Sequence, residues 1–280
     1  MINAVVLAVG FYTALVGALY MVQRGLIYHP SSEMPSPAES GMPEMRPVAI
    51  TAADGIKLVS WYRPAESGRP TIVYFQGNGG NIAGRGFKAR PYLDAGFGML
   101  LAGYRGYGEN PGSPDEDGLY ADGRAQLTFL AGEGVPPKKW VLYGESLGGG
   151  IAVQLALEQA AKTAVGALVL EAPFTSLGDA AAAHYPFVPA RMLVKDRFDS
   201  LAKIAKIRAP LFVVHGENDT VIPVKQGKEL FQEARNPRES HWIAGGGHND
   251  LYDHGVAAMV IGFLDRMVNG VNSGNGRLNN

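Results

Sequence analysis

Ser146 stands in a glycine-bracketed motif that is typical of an activated nucleophile. The motif reads GESLG at positions 144–148, directly after the apolar run WVLY and shortly before the helix-forming run IAVQLALEQA. A serine on a sharp strand-to-helix turn requires glycine two positions to either side, because larger side chains would collide with neighbouring backbone. The following helix also directs free N–H groups toward any anion that forms beside the serine. The pattern predicts nucleophilic catalysis at Ser146.

A serine hydroxyl needs a histidine to take its proton and an acid to orient that histidine. Asp219 follows the apolar run LFVVH, and His248 follows the run SHWI within GGGHND. Serine, acid and histidine in this order form a known triad arrangement, so we predict Ser146, Asp219 and His248 as the catalytic residues. His254 is the competing base, although it falls inside a predicted helix, and Glu171 at the end of ALVLE is the second candidate acid.

Two backbone N–H groups are predicted to hold the oxyanion that such chemistry forms. The run TIVYF leads into QGNGGN at 76–81, a glycine-rich bend that can present bare N–H groups to a ligand. We assign the oxyanion hole to the N–H groups of Asn78 and Leu147. The bend lacks the lysine of a P-loop and the spacing of a dinucleotide-binding loop, which argues against a nucleotide.

The elements that must position these residues alternate regularly along the chain. Apolar runs at TIVYF, GMLL, WVLY, ALVLE, LFVV and SHWI are separated by helical patterns, which predicts right-handed crossovers and a mostly parallel, doubly covered sheet. Two earlier runs, VAIT and KLVSWYR, meet at a turn at 54–55 and predict an antiparallel hairpin. The fold class is therefore α/β, and the 33 residues at 177–209 leave room for a small lid.

The N-terminus predicts one transmembrane helix. Residues 2–22 carry no charge, and a helix of this length covers roughly the 30 Å of a bilayer core. A cleaved signal peptide is the alternative, but no basic residue precedes Arg24 and no A-x-A cleavage site ends the run. We therefore predict an anchor at 1–23 and a membrane location, with either orientation open because only Arg24 and Arg46 lie nearby.

Composition divides the rest of the chain and limits its partners. Residues 24–47, rich in Pro, Ser and Glu, predict an extended tether, 48–268 the catalytic domain, and 269–280 a disordered tail. With 25 basic and 26 acidic residues, no overall field favours nucleic acid as a partner. Cysteine is absent, which removes thiolate chemistry, and the histidines lack a compact metal-ligand spacing. The predicted chemistry needs no cofactor and no metal.

Several segments together resemble a known family. The run RGLIYHP, the QGNGGN bend, GYRGYGENPGSP, GESLGGG, EAPFTSL, HGENDTVIP and GGGHND lie between residues 24 and 265. They are similar to the membrane-anchored α/β-hydrolase-domain proteins grouped with serine-aminopeptidase-like hydrolases, which include eukaryotic protein depalmitoylases. The resemblance implies an α/β-hydrolase fold and the same triad. One departure is Gln76, where the family usually has histidine. We expect a loop that remains functional with altered local hydrogen bonds, because glutamine can both donate and accept.

These observations predict a serine hydrolase that cleaves carboxylic esters or thioesters of a small-molecule or acyl substrate. A peptidase on the same triad is one alternative, and a noncatalytic, membrane-tethered binding module is another. Tyr104 and Tyr107 have two open readings, since they either line the acyl side of the cleft or pack within their glycine-rich turn.

Overall fold

A mixed sheet forms the centre of the protein. The structure is a computed structural model that describes residues 2–235 and 237–273. Its strands are β1 His29–Pro30, β2 Arg46–Thr51, β3 Lys57–Arg63, β4 Thr71–Phe75, β5 Gly79–Gly80, β6 Gly98–Leu101, β7 Trp140–Glu145, β8 Ala167–Glu171, β9 Leu211–Gly216 and β10 Arg238–Ile243.

Eight strands form the main sheet, in the order β10-β9-β8-β7-β4-β6-β3-β2. The pairs from β10 to β6 are all parallel, whereas β3 is antiparallel to both β6 and β2. The β2–β3 hairpin turns at Gly55, whose φ of 86° is unstrained only for glycine. Strands β4, β8 and β9 are buried along their whole length, and β7 is buried except at Glu145, as expected for strands covered on both faces. The predicted α/β fold with its N-terminal hairpin is confirmed.

Helices cover both faces of this sheet. The helices of the described residues are α1 Ile2–Ile27, α2 Gly86–Asp94, α3 Glu116–Gly132, α4 Leu147–Ala160, α5 Leu177–His184, α6 Ala190–Leu193, α7 Leu201–Ile204, α8 Val224–Glu233 and α9 Val256–Ser273. Short 3₁₀ turns lie at Ile82–Arg85, Pro137–Lys139 and Leu251–His254. Helices α3, α4, α7 and α8 pack together over one apolar core, and α2 and α9 pack together over the other. The predicted lid is built from α5, α6 and α7.

The segment predicted as an extended tether is ordered against the domain instead. Helix α1 continues to Ile27, and β1 then pairs in parallel with β5. Tyr28, Met42 and Met45 are buried at 5%, 0% and 4% exposure. Single apolar side chains spaced among Pro, Ser and Glu carry no periodic signal, yet Tyr28, Met42 and Met45 pack in the core.

The C-terminal boundary also differs from the predicted one. Helix α9 runs to Ser273, so residues 269–273 are helical where a disordered tail was predicted. The remainder of that predicted tail, 274–280, lies outside the described residues. The apolar spacing of the preceding residues explains the extension, because an established helix adds each further residue at little cost.

Candidate active site

Ser146 occupies a strained turn between β7 and α4. Its φ of 49° and ψ of −114° lie in a region that non-glycine residues rarely adopt. A Cβ atom at Gly144 would stand 2.5 Å from Gly149 Cα, and one at Gly148 would stand 2.0 Å from Phe75 O. Both flanking glycines are therefore required by close backbone packing, as the motif predicts.

The three predicted catalytic side chains lie within hydrogen-bonding distance of one another. His248 Nε2 is 3.0 Å from Ser146 Oγ, and His248 Nδ1 is 2.7 Å from Asp219 Oδ2. An ionised carboxylate only accepts hydrogen bonds, so Nδ1 must carry the ring proton and donate a hydrogen bond to Asp219. Nε2 is then left bare to accept the Ser146 hydroxyl. This tautomer is the one in which a histidine can take a proton from a serine.

Asp219 is held by four hydrogen bonds, from the N–H groups of Val221 and Ile222 to Oδ1 and from His215 and His248 to Oδ2. Burial by itself raises the pKa of Asp219, but the hydrogen bonds from His215 and His248 outweigh it and hold the pKa well below its ordinary value. Asp219 is therefore ionised across the working range of most enzymes.

His215 is the residue near this site that the sequence pattern did not reveal. It is fully buried in β9, and its Nε2 lies 3.0 Å from Asp219 Oδ2 and 2.9 Å from the Ile222 carbonyl oxygen. Two acceptors at one nitrogen require Nε2 to be the donor. Its position four residues before Asp219 is the only sequence feature that points to a role in this site. A histidine within an apolar strand is ordinarily interpreted as a core residue.

The competing candidates lie elsewhere. His254 is exposed at the end of its 3₁₀ turn. Glu171 contacts Lys88 and Tyr143 through its carboxylate, while its backbone oxygen accepts the Ser146 N–H at 2.8 Å. Neither residue is part of the hydrogen-bonded chain from Ser146 to Asp219.

A buried ion network supports the turn from beneath. Lys88 Nζ lies 2.7 Å from Glu171 Oε1 and 3.2 Å from Glu145 Oε1, and Arg85 Nε lies 3.2 Å from Glu145 Oε2. Burial raises the pKa of Glu145, but Lys88 and Arg85 outweigh it and keep the pKa below its ordinary value. Because Glu145 precedes Ser146 directly, this network fixes the backbone that carries the nucleophile.

The glycine-rich bend after β4 lies beside Ser146. Asn78 and Leu147 both border the cavity that contains Ser146, and within the described residues no intramolecular hydrogen bond uses either backbone N–H. Tyr104 donates to the Gln76 carbonyl at 3.0 Å, and Tyr107 donates to the Asn78 carbonyl at 2.7 Å. The two tyrosines are buried, so they brace this bend and do not line the acyl side.

Gln76, the departure from the family pattern, has a fully buried side chain. Within the part of the chain that the structure describes, neither its Oε1 nor its Nε2 has a hydrogen-bond partner. A buried amide in that condition costs about 1–3 kcal/mol unless water or a ligand satisfies it.

The same described ranges contain no group of three or more His, Asp or Glu side chains able to hold a metal ion.

Comparison with known proteins assigns the family. The model of the alpha/beta hydrolase domain matches residues 113–254, which include all three side chains of the hydrogen-bonded chain. An uncharacterized protein of Mycobacterium tuberculosis is 39% identical over 235 residues, 83% of this chain and 82% of that protein. The chain belongs to the α/β-hydrolase family. The α/β-hydrolase domain-containing protein WAV2 of Arabidopsis thaliana is 30% identical over 254 residues, 82% of each chain.

A solved esterase structure shows the same architecture. The esterase, from Pyrococcus furiosus, has a TM-score of 0.70 at 20% identity over 86% of this chain and 97% of its own. At this identity the likeness shows the fold alone. Together with the family match, it confirms the predicted membership of the α/β hydrolases.

The α/β-hydrolase domain carries an apolar cavity of about 460 Å³ beside Ser146. That volume lies within the range of small-molecule sites, roughly 300–1,000 Å³. Phe174, Leu177, Ala180 and other apolar side chains line it, whereas no Asp, Glu, Lys or Arg among the described residues does.

Proposed function

We propose that this α/β hydrolase is a serine hydrolase that cleaves carboxylic ester or thioester bonds through an acyl-enzyme intermediate. The observation that carries the proposal is the continuous chain from Ser146 Oγ through His248 to Asp219, with distances of 3.0 and 2.7 Å. Hydrogen-bond reach between a nucleophile, a base and an orienting acid is the geometric mark of this chemistry.

The reaction proceeds in two halves. Ser146 Oγ attacks the acyl carbonyl carbon while its proton moves to His248 Nε2, and the new oxyanion accepts from the N–H groups of Asn78 and Leu147. The carbon–oxygen or carbon–sulfur bond then breaks, and the leaving alcohol or thiol takes the proton from His248. Water next attacks the acyl-serine with His248 as base, which releases the carboxylic acid and restores Ser146. Asp219 orients the neutral imidazole throughout and stabilises the imidazolium whenever it forms.

The lining of the cavity favours an acyl group over a peptide N-terminus. A site that binds a free α-amino group must offset the desolvation of a cation, for which a carboxylate is the usual partner. No acidic side chain of the described residues lines this cavity. Its apolar surface instead suits a hydrocarbon chain, with each buried methylene contributing about 0.8 kcal/mol.

Helix α1 is proposed to anchor the enzyme in a membrane. The 25 residues from Asn3 to Ile27 contain an 18-residue window with a mean hydropathy of 2.1, and the helix is long and apolar enough to cross a bilayer. Val5, Leu7, Phe11 and Met21 are between 60% and 77% exposed. Membrane pellets washed with alkaline carbonate should retain the protein, and release into the supernatant would contradict the anchor.

Labelling with a fluorophosphonate tests the nucleophile directly. Wild-type protein should be labelled, and Ser146→Ala should not. His248→Gln should lose both labelling and hydrolysis of p-nitrophenyl esters, whereas the matched control His254→Gln, six residues away and exposed, should keep them. Equal labelling of Ser146→Ala, or no labelling of folded wild type, would contradict the proposal.

A further inference from the structure

The cavity beside Ser146 is walled on one side by the N-terminal helix. The residues of α1 that line it are Val16, Leu19, Tyr20, Gln23, Leu26 and Ile27. Their spacing of three and four positions places them on one face of a helix. One face of helix α1 therefore forms a wall of the cavity that contains Ser146.

Burial along α1 follows the same stripe. Val16, Leu19, Gln23 and Ile27 are partly buried, whereas the residues between them are exposed. Met21, on the opposite face, is 77% exposed. A helix that served only as a tether would show no such one-sided pattern. The apolar residues of the stripe face the cavity, and the other apolar residues are left to face lipid.

Polar contacts hold this half of α1 against the lid. Arg24 makes a two-pronged ion pair with Asp196, with both distances at 2.9 Å. Gln23 accepts the Lys195 N–H at 2.7 Å, and Tyr12 donates to the Phe187 carbonyl at 2.8 Å. The contacts extend from Tyr12 to Arg24, so the position of α1 relative to the lid is fixed over several turns.

These contacts determine how deep the lid must sit. Residues 12–27 of α1 lie along the domain and cover about 24 Å, which leaves residues 2–11 with about 15 Å, half of a bilayer core. If α1 crosses the membrane, the lid beside it must enter the bilayer. The lid carries suitable side chains for that position, since Phe187 and Met192 are 59% and 81% exposed.

We propose that the cavity takes the long acyl chain of a membrane-resident ester or thioester, drawn from the bilayer along α1, and that Val16, Leu19 and Tyr20 set its chain length. The inference rests on the proposed function, because it places the acyl carbonyl at Ser146. Lipid esters and S-acylated cysteines share this acyl chemistry.

A matched pair of substitutions on α1 tests the wall. Leu19→Trp fills the cavity, whereas Met21→Trp places the same ring on the opposite face. We expect the ratio of kcat/KM for p-nitrophenyl laurate over butyrate to fall about fifteenfold in Leu19→Trp, which corresponds to two methylene groups excluded at about fourfold each. Met21→Trp should keep the wild-type ratio. Leu19→Ala, which enlarges the cavity, should shift the preference toward palmitate.

The outcomes separate this inference from the proposed function. Loss of fluorophosphonate labelling at Ser146 in wild type would contradict the proposed function. Normal labelling with equal laurate-to-butyrate ratios in Leu19→Trp and Met21→Trp would overturn only the inference that α1 limits the acyl-chain length. An unchanged chain-length preference in Leu19→Ala would do the same. Vesicles that contain a long-chain monoacylglycerol or an S-acylated peptide identify the source, and Leu19→Trp should slow whichever is cleaved. Cleavage of either one at an undiminished rate by Leu19→Trp would also overturn the wall.

Discussion

The backbone at Ser146 predicts an unusual stability response to substitution. Its φ of 49° lies in a region where a side chain is strained and glycine is not. Replacing Ser146 by alanine keeps the strain, while replacing it by glycine relieves it. Both variants lose the hydroxyl that lies 3.0 Å from His248 Nε2, so the difference between them isolates the backbone contribution.

The magnitude follows from two opposing contributions. A non-glycine residue in a sparsely populated region costs about 1–3 kcal/mol. Glycine has more conformational freedom than alanine in the unfolded chain, and the loss of this freedom on folding lowers the unfolding free energy by about 0.5–1 kcal/mol. Ser146→Gly should therefore have a free energy of unfolding about 1 kcal/mol higher than Ser146→Ala. For a domain of this size that difference raises Tm by about 2–4 °C.

Thermal unfolding in detergent, followed by calorimetry, measures this difference. Ala131→Gly is the matched control, since Ala131 is exposed near the end of helix α3 and the same exchange there should lower stability by about 0.5–1 kcal/mol. If glycine destabilises position 146 relative to alanine as it does position 131, the turn is not strained and the reasoning fails.

Three further substitutions probe the charges around the site. Asp219→Asn should lower kcat/KM by about 10⁴-fold, as in protease triads whose histidine adopts the wrong tautomer. In urea unfolding, the difference in stability between wild type and Asp219→Asn should become smaller below pH ~4. The reason is that the lowered pKa of Asp219 stabilises the folded state fully only above the ordinary aspartate pKa, and this stabilisation is lost as the pH falls. A loss that is constant with pH would contradict the lowered pKa. Lys88→Met leaves the buried Glu171 without its cation and Glu145 with Arg85 alone, which should cost about 3–5 kcal/mol at pH 7. The substitution should also raise the pKa of Glu145, so urea unfolding should show a smaller cost at pH ~5. Equal costs at both pH values would argue against this ion network. Arg24→Met leaves the buried Asp196 without its cation. Because Arg24 is half exposed, the substitution should lower the unfolding free energy by only about 1–3 kcal/mol, as measured by calorimetry. An unchanged Tm would mean that the ion pair does not hold α1 against the lid.

The sequence predicted the parts of the site whose geometry is local. The turn at Ser146 is encoded by adjacent residues, namely a strand, two flanking glycines and a helix start. Asp219 and His248 each follow a strand of a parallel sheet, and such strand ends meet at one edge. Their proximity therefore followed from the fold class alone, without knowledge of any side-chain contact.

Other contacts had no periodic or local signal. His215 lies within an apolar strand, where its bond to Asp219 depends on the turn that follows β9. For Tyr104 and Tyr107 the sequence allows two interpretations, because packing in a turn and lining a cleft require the same residue type. Met42 and Met45 are buried by long-range packing of a segment whose composition resembles a linker. Each of these features depends on tertiary contacts that composition and spacing do not encode.

Helix α1 shows a limit of what hydropathy predicts. Its length and hydropathy predicted an anchor, but hydropathy does not distinguish a face that meets lipid from a face that meets a bound acyl chain. The lid connects this helix to the acid, since Gln23 accepts the Lys195 N–H, His184 contacts the Val221 carbonyl at 2.7 Å, and the Val221 N–H donates to Asp219. A chain in the cavity would touch α1, the lid and Val221 together. Under the proposed function, binding of the acyl group would therefore stabilise the arrangement that holds Asp219, and α1 would be a structural part of the active site as well as its proposed membrane anchor.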